Sequence, residues 1–452
     1  MMKDTIVGIS TALGKGAISI IRVSGVDAIN IVNRVFKGKN LYQQTSNAIN
    51  YGHIFKGKEI IDEVLVSIMR KPKTFTREDI VEINSHGGLI VTNKILELLI
   101  REGARLAEPG EFTKRAFLNG RIDLLEAEAV MDLINAKSES ARKLAMNQVT
   151  GKISNQIIIL RAKIMEVMAN IEVNIDYPEY DDVEEVTYQL LTTKIKEIIE
   201  PLEKLQREAH KGRIIKEGIK TIIVGRPNVG KSSILNKLID EDKAIVTDIA
   251  GTTRDIVEGD VMIDGILLNI FDTAGIRRTK NIIEQKGVAK TMSLIEESDL
   301  IILVLNNNEA LKTEDITIIK KTNKKPRIIV INKADLPTKI KLEGIVLDNV
   351  VRCNAIEEDG LIPLKNQIKA LFELETIETA NPAYLSNIRQ QTLISQAQEA
   401  LQDALTSIKK GIPIDLIQID IKRAWNLLGE IIGATYQDDI IDQLFSHFCL
   451  GK

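Results

Sequence analysis

Short apolar runs rich in β-branched residues mark the first hundred positions. GAISIIRVSG (16–25), EVLVSIM (63–69) and DIVEIN (79–84) predict strands. TNKILELLIREGARL (92–106) repeats apolar residues at helical spacing and carries a glycine near its end, which predicts an amphipathic helix. From LLEAEAVMDLI (124–134) the pattern lengthens into helices, among them NQIIILRAKIMEVMANIEV (155–173). DYPEYDDVEE (176–185) predicts an acidic connection, and a further helix follows over roughly 186–213. At IKTIIVG (219–225) the texture changes again: TIIVG, ILLNIFD, DLIILVL, RIIVIN and VVRCNA alternate with helical stretches, the pattern of a mostly parallel sheet with crossover helices. Helical spacing returns over 383–448.

At 452 residues the chain is too long for one core. The pattern predicts an α+β domain over 1–118, a helical stretch over 119–215, an α/β block over 216–376 and a second helical stretch over 377–452. Neither helical stretch looks large enough for a core of its own, so the α/β block reads as an insertion into one all-α domain; two separate helical domains are the alternative. The formal net charge of −3 argues against nucleic-acid binding by overall charge and leaves a local basic patch as the route to RNA. Two cysteines, Cys353 and Cys449, cannot build a disulfide framework and fit a reducing, cytoplasmic setting. Four scattered histidines offer no metal-site spacing. The opening MMKDTIVGISTALGKG has no signal-peptide core, and no apolar run reaches the roughly 18 residues needed to span a bilayer.

GRPNVGKS (225–232) follows a predicted strand, opens a helix and fits the phosphate-loop pattern residue for residue. In that reading the amides of Asn228, Val229, Gly230, Lys231, Ser232 and Ser233 face phosphate oxygens, Lys231 supplies charge, and the Ser232 hydroxyl binds Mg²⁺. Further elements arrive in order. Thr247, Asp248, Ile249, Ala250, Gly251, Thr252 and Thr253 form a switch, with the Thr253 hydroxyl as second Mg²⁺ ligand. Asp272, Thr273, Ala274 and Gly275 end an apolar strand and face the γ-phosphate. Asn332, Lys333 and Asp335 of NKAD recognise the base: a carboxylate accepts two N–H bonds from guanine, which adenine cannot supply. Asn354 and Ala355 of CNA stand where Ser-Ala is usual. The block is therefore expected to be a P-loop GTPase domain of the Ras-like type. Ile276 follows DTAG and cannot orient water, so another group must. One candidate is K⁺ held by Asn228, Thr252 and the carbonyls of Thr247 and Ile249, acting by electrostatic stabilisation. Capping of the loop is the equal alternative for Asn228.

IIRVSG (20–25), HGG (86–88), PGEFTKRAFLNGRIDLLEAEAVMDLI (109–134), GRPNVGKSS, AGTTRD, DTAGIR, NKAD and a terminal CLGK together make the chain closely similar to the MnmE (TrmE) family of tRNA modification GTPases. The resemblance covers essentially the whole chain. It implies an N-terminal domain that binds a tetrahydrofolate derivative, 5-formyl- or 5,10-methylene-, and mediates homodimerisation. It implies K⁺-dependent pairing of GTPase domains and a heterotetramer with the flavoprotein MnmG (GidA), which alone carries FAD. Together they build (carboxymethyl)aminomethyl groups on carbon five of the tRNA wobble uridine. Motif by motif, the water-assisting glutamate falls on Glu284, and the folate contacts on Arg22, Glu82, Arg121 and Lys452. On spacing alone each is an ordinary surface charge. Cys449 would either take part in the chemistry or shape the folate pocket, with the tail tucked against that domain. A regulatory or assembly GTPase, as in ribosome biogenesis, is the alternative reading; the nucleotide motifs cannot separate the two, whereas the N-terminal block and CLGK favour modification.

Overall fold

The computed structural model describes residues 4–176, 188–242, 259–263, 265–272, 294–342, 347–372, 384–435, 438–446, 448 and 451. The chain divides into two compact units, one comprising 1–131, 154–184 and 412–452, the other 132–153 and 185–411.

In the first unit seven strands form one sheet: β1 (Ile6–Ile9), β2 (Ile18–Ser24), β3 (Phe36–Lys37), β4 (Ala48–Lys56), β5 (Glu59–Met69), β6 (Ile80–His86) and β7 (Arg105–Leu106), in the order β3-β4-β5-β6-β2-β1-β7. Every pairing is antiparallel except β1 with β7. Side chains alternate along β5: Val64, Val66 and Ile68 are buried while Glu63 and Leu65 are exposed, as a half-buried sheet demands. The buried face packs on α1 (Ala28–Val35) and α2 (Leu89–Arg101) through Ile31, Val32, Ile95 and Leu99. The predicted helix over 92–106 stops at Arg101; after Gly103 the residues Arg105 and Leu106 pair with Ile6 and Val7 instead. α3 (Glu111–Leu118) follows. The unit also holds most of α4 (Leu124–Asn135) and α6 (Lys152–Asp176), with α12 (Ile414–Ile432) and α13 (Asp438–Phe445) from the far end of the chain.

In the second unit a six-stranded sheet runs β13-β12-β11-β8-β10-β9. Its strands are β8 (Ile219–Val224), β9 (Gly259–Ile263), β10 (Ile266–Asp272), β11 (Leu300–Asn306), β12 (Arg327–Asn332) and β13 (Val350–Arg352), all parallel except the β9–β10 pair. β11 and β12 are buried at every position. Ile302, Val304, Ile328 and Val330 fill one side, and Ile301, Leu303, Ile329 and Ile331 the other, so helices must cover both faces. Those described are α8 (Lys231–Asp242), α9 (Thr313–Lys321) and α10 (Ile362–Leu371); α5 (Glu139–Val149), α7 (Tyr188–Glu217) and α11 (Ile388–Lys409) also belong to the unit. The fold is thus multidomain, with an α+β N-terminal part, long helices and an α/β block. Among the described residues no helix is long and apolar enough to cross a membrane.

Candidate functional site

The α/β sheet reverses its strand order between β8 and β11, and the carboxyl ends of strands at such a point are where ligands bind. The phosphate loop leaves β8 there and enters α8. Gly230 holds φ +102°, and a Cβ on it would lie 2.0 Å from Asn332 Nδ2, so only glycine fits. Lys231 Nζ reaches back to the carbonyls of Gly225 at 3.0 Å and Arg226 at 2.7 Å, which holds its charge across the mouth of the loop. Val229 is buried; Ser232 and Ser233 are exposed in the first turn of α8. Arg226 is pinned beneath: its Nε donates to both Asp315 oxygens at 2.8 Å and its Nη2 to Glu309 at 3.0 Å.

NKAD leaves the carboxyl end of β12 and closes on this loop. Asn332 Nδ2 donates to the Val229 carbonyl at 3.0 Å, and Lys333 Nζ to the Asn228 carbonyl at 3.1 Å. Asn228 and Lys333 both have positive φ, 64° and 61°, the sparsely populated conformation that clusters at functional sites. Asp335 is exposed at the tip. The Ala355 N–H donates to Asn332 Oδ1 at 3.3 Å, and Asn354 Oδ1 accepts from the Ile356 N–H at 3.2 Å. Asn354 thereby closes its own turn, the service a serine hydroxyl performs more weakly. Asp272 ends β10 with its backbone opposite Ile223; its side chain is outside the described residues. Thr247, Asp248, Ile249, Ala250, Gly251, Thr252, Thr253, Thr273, Ala274, Gly275 and Glu284 also lie outside them.

A second constellation lies in the first unit. Arg22 on β2 and Glu82 on β6 are directly opposite in register, and Arg22 Nε meets Glu82 Oε1 at 2.8 Å. The guanidinium carbon sits 5.6 Å from the Phe112 ring centre. Phe112 belongs to a small apolar cluster with Ile6, Ala107 and Phe75, and Arg121 lies over the Phe75 ring at 4.8 Å, donating to the Phe75 carbonyl at 3.1 Å. The two cations thus rest on the two aromatic rings of one cluster. Gly451 comes from the other end of the chain: Ser10 Oγ donates to its carbonyl at 3.0 Å, and its Cα approaches the Gly8 side of β1. Gly451 is buried with φ +84°, and a Cβ there would strike the Ile9 carbonyl at 1.9 Å. Cys449 and Lys452 are outside the described residues. A paired carboxylate and guanidinium beside two aromatic rings suit a flat heterocycle bearing hydrogen-bond donors. Sequence reasoning did not single out Phe75 or Phe112, although Phe112 lies inside PGEFTKRAFLNGRID, the longest of the motifs.

A family model described as the GTP-binding protein TrmE N-terminus matches residues 5–121, and one described as the MnmE helical domain matches residues 124–449, a span that encloses the α/β block. The tRNA modification GTPase MnmE of Bacillus cytotoxicus is 53% identical over 455 residues, covering 99% of each chain. That of Bacillus mycoides is 52% identical with the same coverage. Among solved structures, the G domain of the T. maritima FeoB iron transporter aligns with 34% of this chain and 98% of its own, at 23% identity and a TM-score of 0.26.

Proposed function

Because the chain belongs to the MnmE family of tRNA modification GTPases, we propose that it hydrolyses GTP as one subunit of a complex that modifies carbon five of the tRNA wobble uridine. The observation that carries this reading is the meeting of two loops: Asn332 and Lys333 bond to Val229 and Asn228, joining a phosphate cradle to a base-recognition loop. Asn228 to Ser233 orient the phosphates through main-chain amides, and Lys231 neutralises them. Asp335 accepts from guanine. Ser232 and Thr253 would hold Mg²⁺; Asn228, Thr247, Ile249 and Thr252 would hold K⁺, and these cations offset charge on the phosphates. Glu284 assists the water.

The Arg22–Glu82 pair, Arg121, Phe112 and the docked tail favour a tetrahydrofolate one-carbon donor in the first unit, with Lys452 adding charge and Cys449 beside the reacting group. Pairing of two GTPase domains, a homodimer, and a heterotetramer with the flavoprotein MnmG complete the reading, in the cytoplasm. The proposed parts are an N-terminal folate domain (1–118), a helical domain in two pieces (119–215 and 377–452) and a GTPase domain (216–376) between them. The test is mass spectrometry of wobble uridines in cells lacking this gene, paired with purified-protein hydrolysis in KCl and NaCl at equal ionic strength. Loss of the modification and faster turnover in K⁺ are expected. Unchanged levels of the modified nucleoside in the deletion would end the reading, and equal rates in the two salts would remove the K⁺ site.

A further inference from the structure

Between the phosphate loop and NKAD the chain places a third segment, Asn306-Asn307-Asn308-Glu309, at the carboxyl end of β11. Asn307 is 1% exposed, which is unusual for an amide side chain and requires that its polar groups be met. All four are. Its N–H donates to the Asn332 carbonyl at 2.9 Å, and its own carbonyl accepts from Lys339 and Ile340 at 2.8 and 3.1 Å. Its Nδ2 donates to the Leu336 carbonyl at 2.8 Å, and its Oδ1 accepts from Arg352 Nη1 at 2.9 Å. These partners bracket Asp335 on both sides in sequence and reach the strand that leads into Asn354 and Ala355. Glu309, two residues on, turns the other way and holds Arg226 of the phosphate loop.

We infer that Asn307 is a positioning residue for base selectivity: it touches no nucleotide itself but fixes the loop that presents Asp335. The inference rests on the guanine role of Asp335. A buried amide with four satisfied groups over-determines the loop, which would otherwise hang from an exposed turn. A carboxylate reads two neighbouring N–H groups only if its carrier is held to a few tenths of an ångström, because a small misplacement removes most of a hydrogen bond. Glu309 acts through Arg226 on the phosphate side, so the two residues of one turn divide the nucleotide between them.

The experiment compares dissociation constants of GDP and IDP for the full chain, since hypoxanthine lacks the exocyclic amine that Asp335 reads. Asn307→Ala is expected to lower the GDP-over-IDP preference about tenfold, a change of about 1.4 kcal/mol, and to raise KM for GTP with kcat at saturation little changed. Asn307→Asp keeps the acceptor for Arg352 and is expected to recover part of the preference. Glu309→Gln is expected to weaken both nucleotides equally. An unchanged preference in Asn307→Ala, or equal weakening of GDP and IDP, would overturn the inference, because a merely structural amide would act that way. Should Asn307→Ala fail to fold, Asn307→Ser and the exposed Arg352→Ala carry the same test, with the same reduced preference expected and an unaltered one overturning it. Asp335→Ala separates the two readings. If it leaves the preference intact, the guanine role itself fails; if it abolishes the preference while Asn307→Ala leaves it unchanged, only the positioning role fails.

Discussion

Single residues decide both constellations by space or by charge. At Gly230 a methyl group would overlap the Asn332 amide and meet a positive φ at once, so Gly230→Ala strains the loop by about 1–3 kcal/mol and pushes the base loop off it. The expected result is GDP affinity reduced at least tenfold by calorimetry with a lowered melting temperature; retention of affinity would show that the Asn332 contact yields freely. In the other unit Arg115, 1% exposed, is held by Glu111, Glu78 and Asp4, and Arg105 is shared between Glu111 and Asp4. Burial alone pushes the Glu111 carboxyl up; the hydrogen bonds from Arg105, the Glu108 amide and Arg115 bring it below the usual glutamate range. Asp4 is likewise lowered, against its own burial, chiefly by Arg105 and Arg115. Carboxylates depressed in the fold stabilise it above their unfolded values and lose that contribution as pH falls through the folded ones. The native protein should therefore lose stability steeply below about pH 4.5. Glu111→Gln should be less stable at pH 7 with a shallower loss in acid, read from urea unfolding at each pH; parallel curves would refute the assignment. Cys353 behaves differently: burial pushes its thiol up to about 11, which makes it a packing residue rather than a nucleophile.

Elements explain why the sequence was readable where it was. Strands buried on both faces, such as β11 and β12, are continuous runs of Leu, Ile and Val, and helices such as α6 and α12 carry long apolar repeats; both signals survive without a partner. β4 and β9 were not legible. AINYGHIFK carries glycine, asparagine and histidine in its middle, and its identity comes from pairing with β5. GDVMI is an edge strand that depends on β10. Arg105 and Leu106 continued a helical pattern, yet Gly103 ends it and β1 supplies the alternative partner. The phosphate loop and NKAD could be read because their chemistry is local. Asn307, Phe75 and Phe112 could not, since each acts through contacts made by folding. The same holds where the α/β block joins its helices. Gln148 on α5, 3% exposed, donates to the Tyr384 carbonyl at 2.6 Å and to Ser386 Oγ at 3.2 Å, while Lys216 on α7 meets Asp132 at 2.8 Å, around a cavity of about 150 Å³. Tyr384 and Lys216 flank the block on its two sides in sequence, so both connections are fastened to neighbouring helices. Gln148→Ala leaves a half-buried carbonyl and a buried hydroxyl without that donor and should cost about 1–3 kcal/mol in denaturant unfolding. A change within 0.5 kcal/mol, the ordinary surface range, would mean that the clasp contributes nothing.

At the scale of the whole molecule the ends of the chain meet. Ser10 and Gly451, 441 positions apart, share a hydrogen bond, and the rings of Phe448 and Phe445 pack at a tilt of 43° with centroids 4.9 Å apart, beside Gly110 at the start of α3. The residues between them include the entire α/β block, so the tail can dock only after everything before it has been made. Closure of so long a loop costs entropy that grows slowly with length, and the apolar ring pair together with the buried Gly451 must offset it. The docked tail also completes the face of β1 that runs beside Phe112 and the Arg22–Glu82 pair. The phosphate loop belongs to the other unit. A chain ending at Ser446 should therefore separate nucleotide hydrolysis from the proposed folate binding. Its GTP affinity and basal hydrolysis should match those of the full chain, whereas stabilisation by 5-formyltetrahydrofolate should fall. Ligand at a hundred times its dissociation constant adds about 2.7 kcal/mol to a folded site, so thermal scans at fixed folate resolve the loss. Equal folate shifts in the two chains would show that the tail closes the fold without serving the site, and reduced hydrolysis in the shortened chain would show that the ends of the molecule and the phosphate loop are coupled after all.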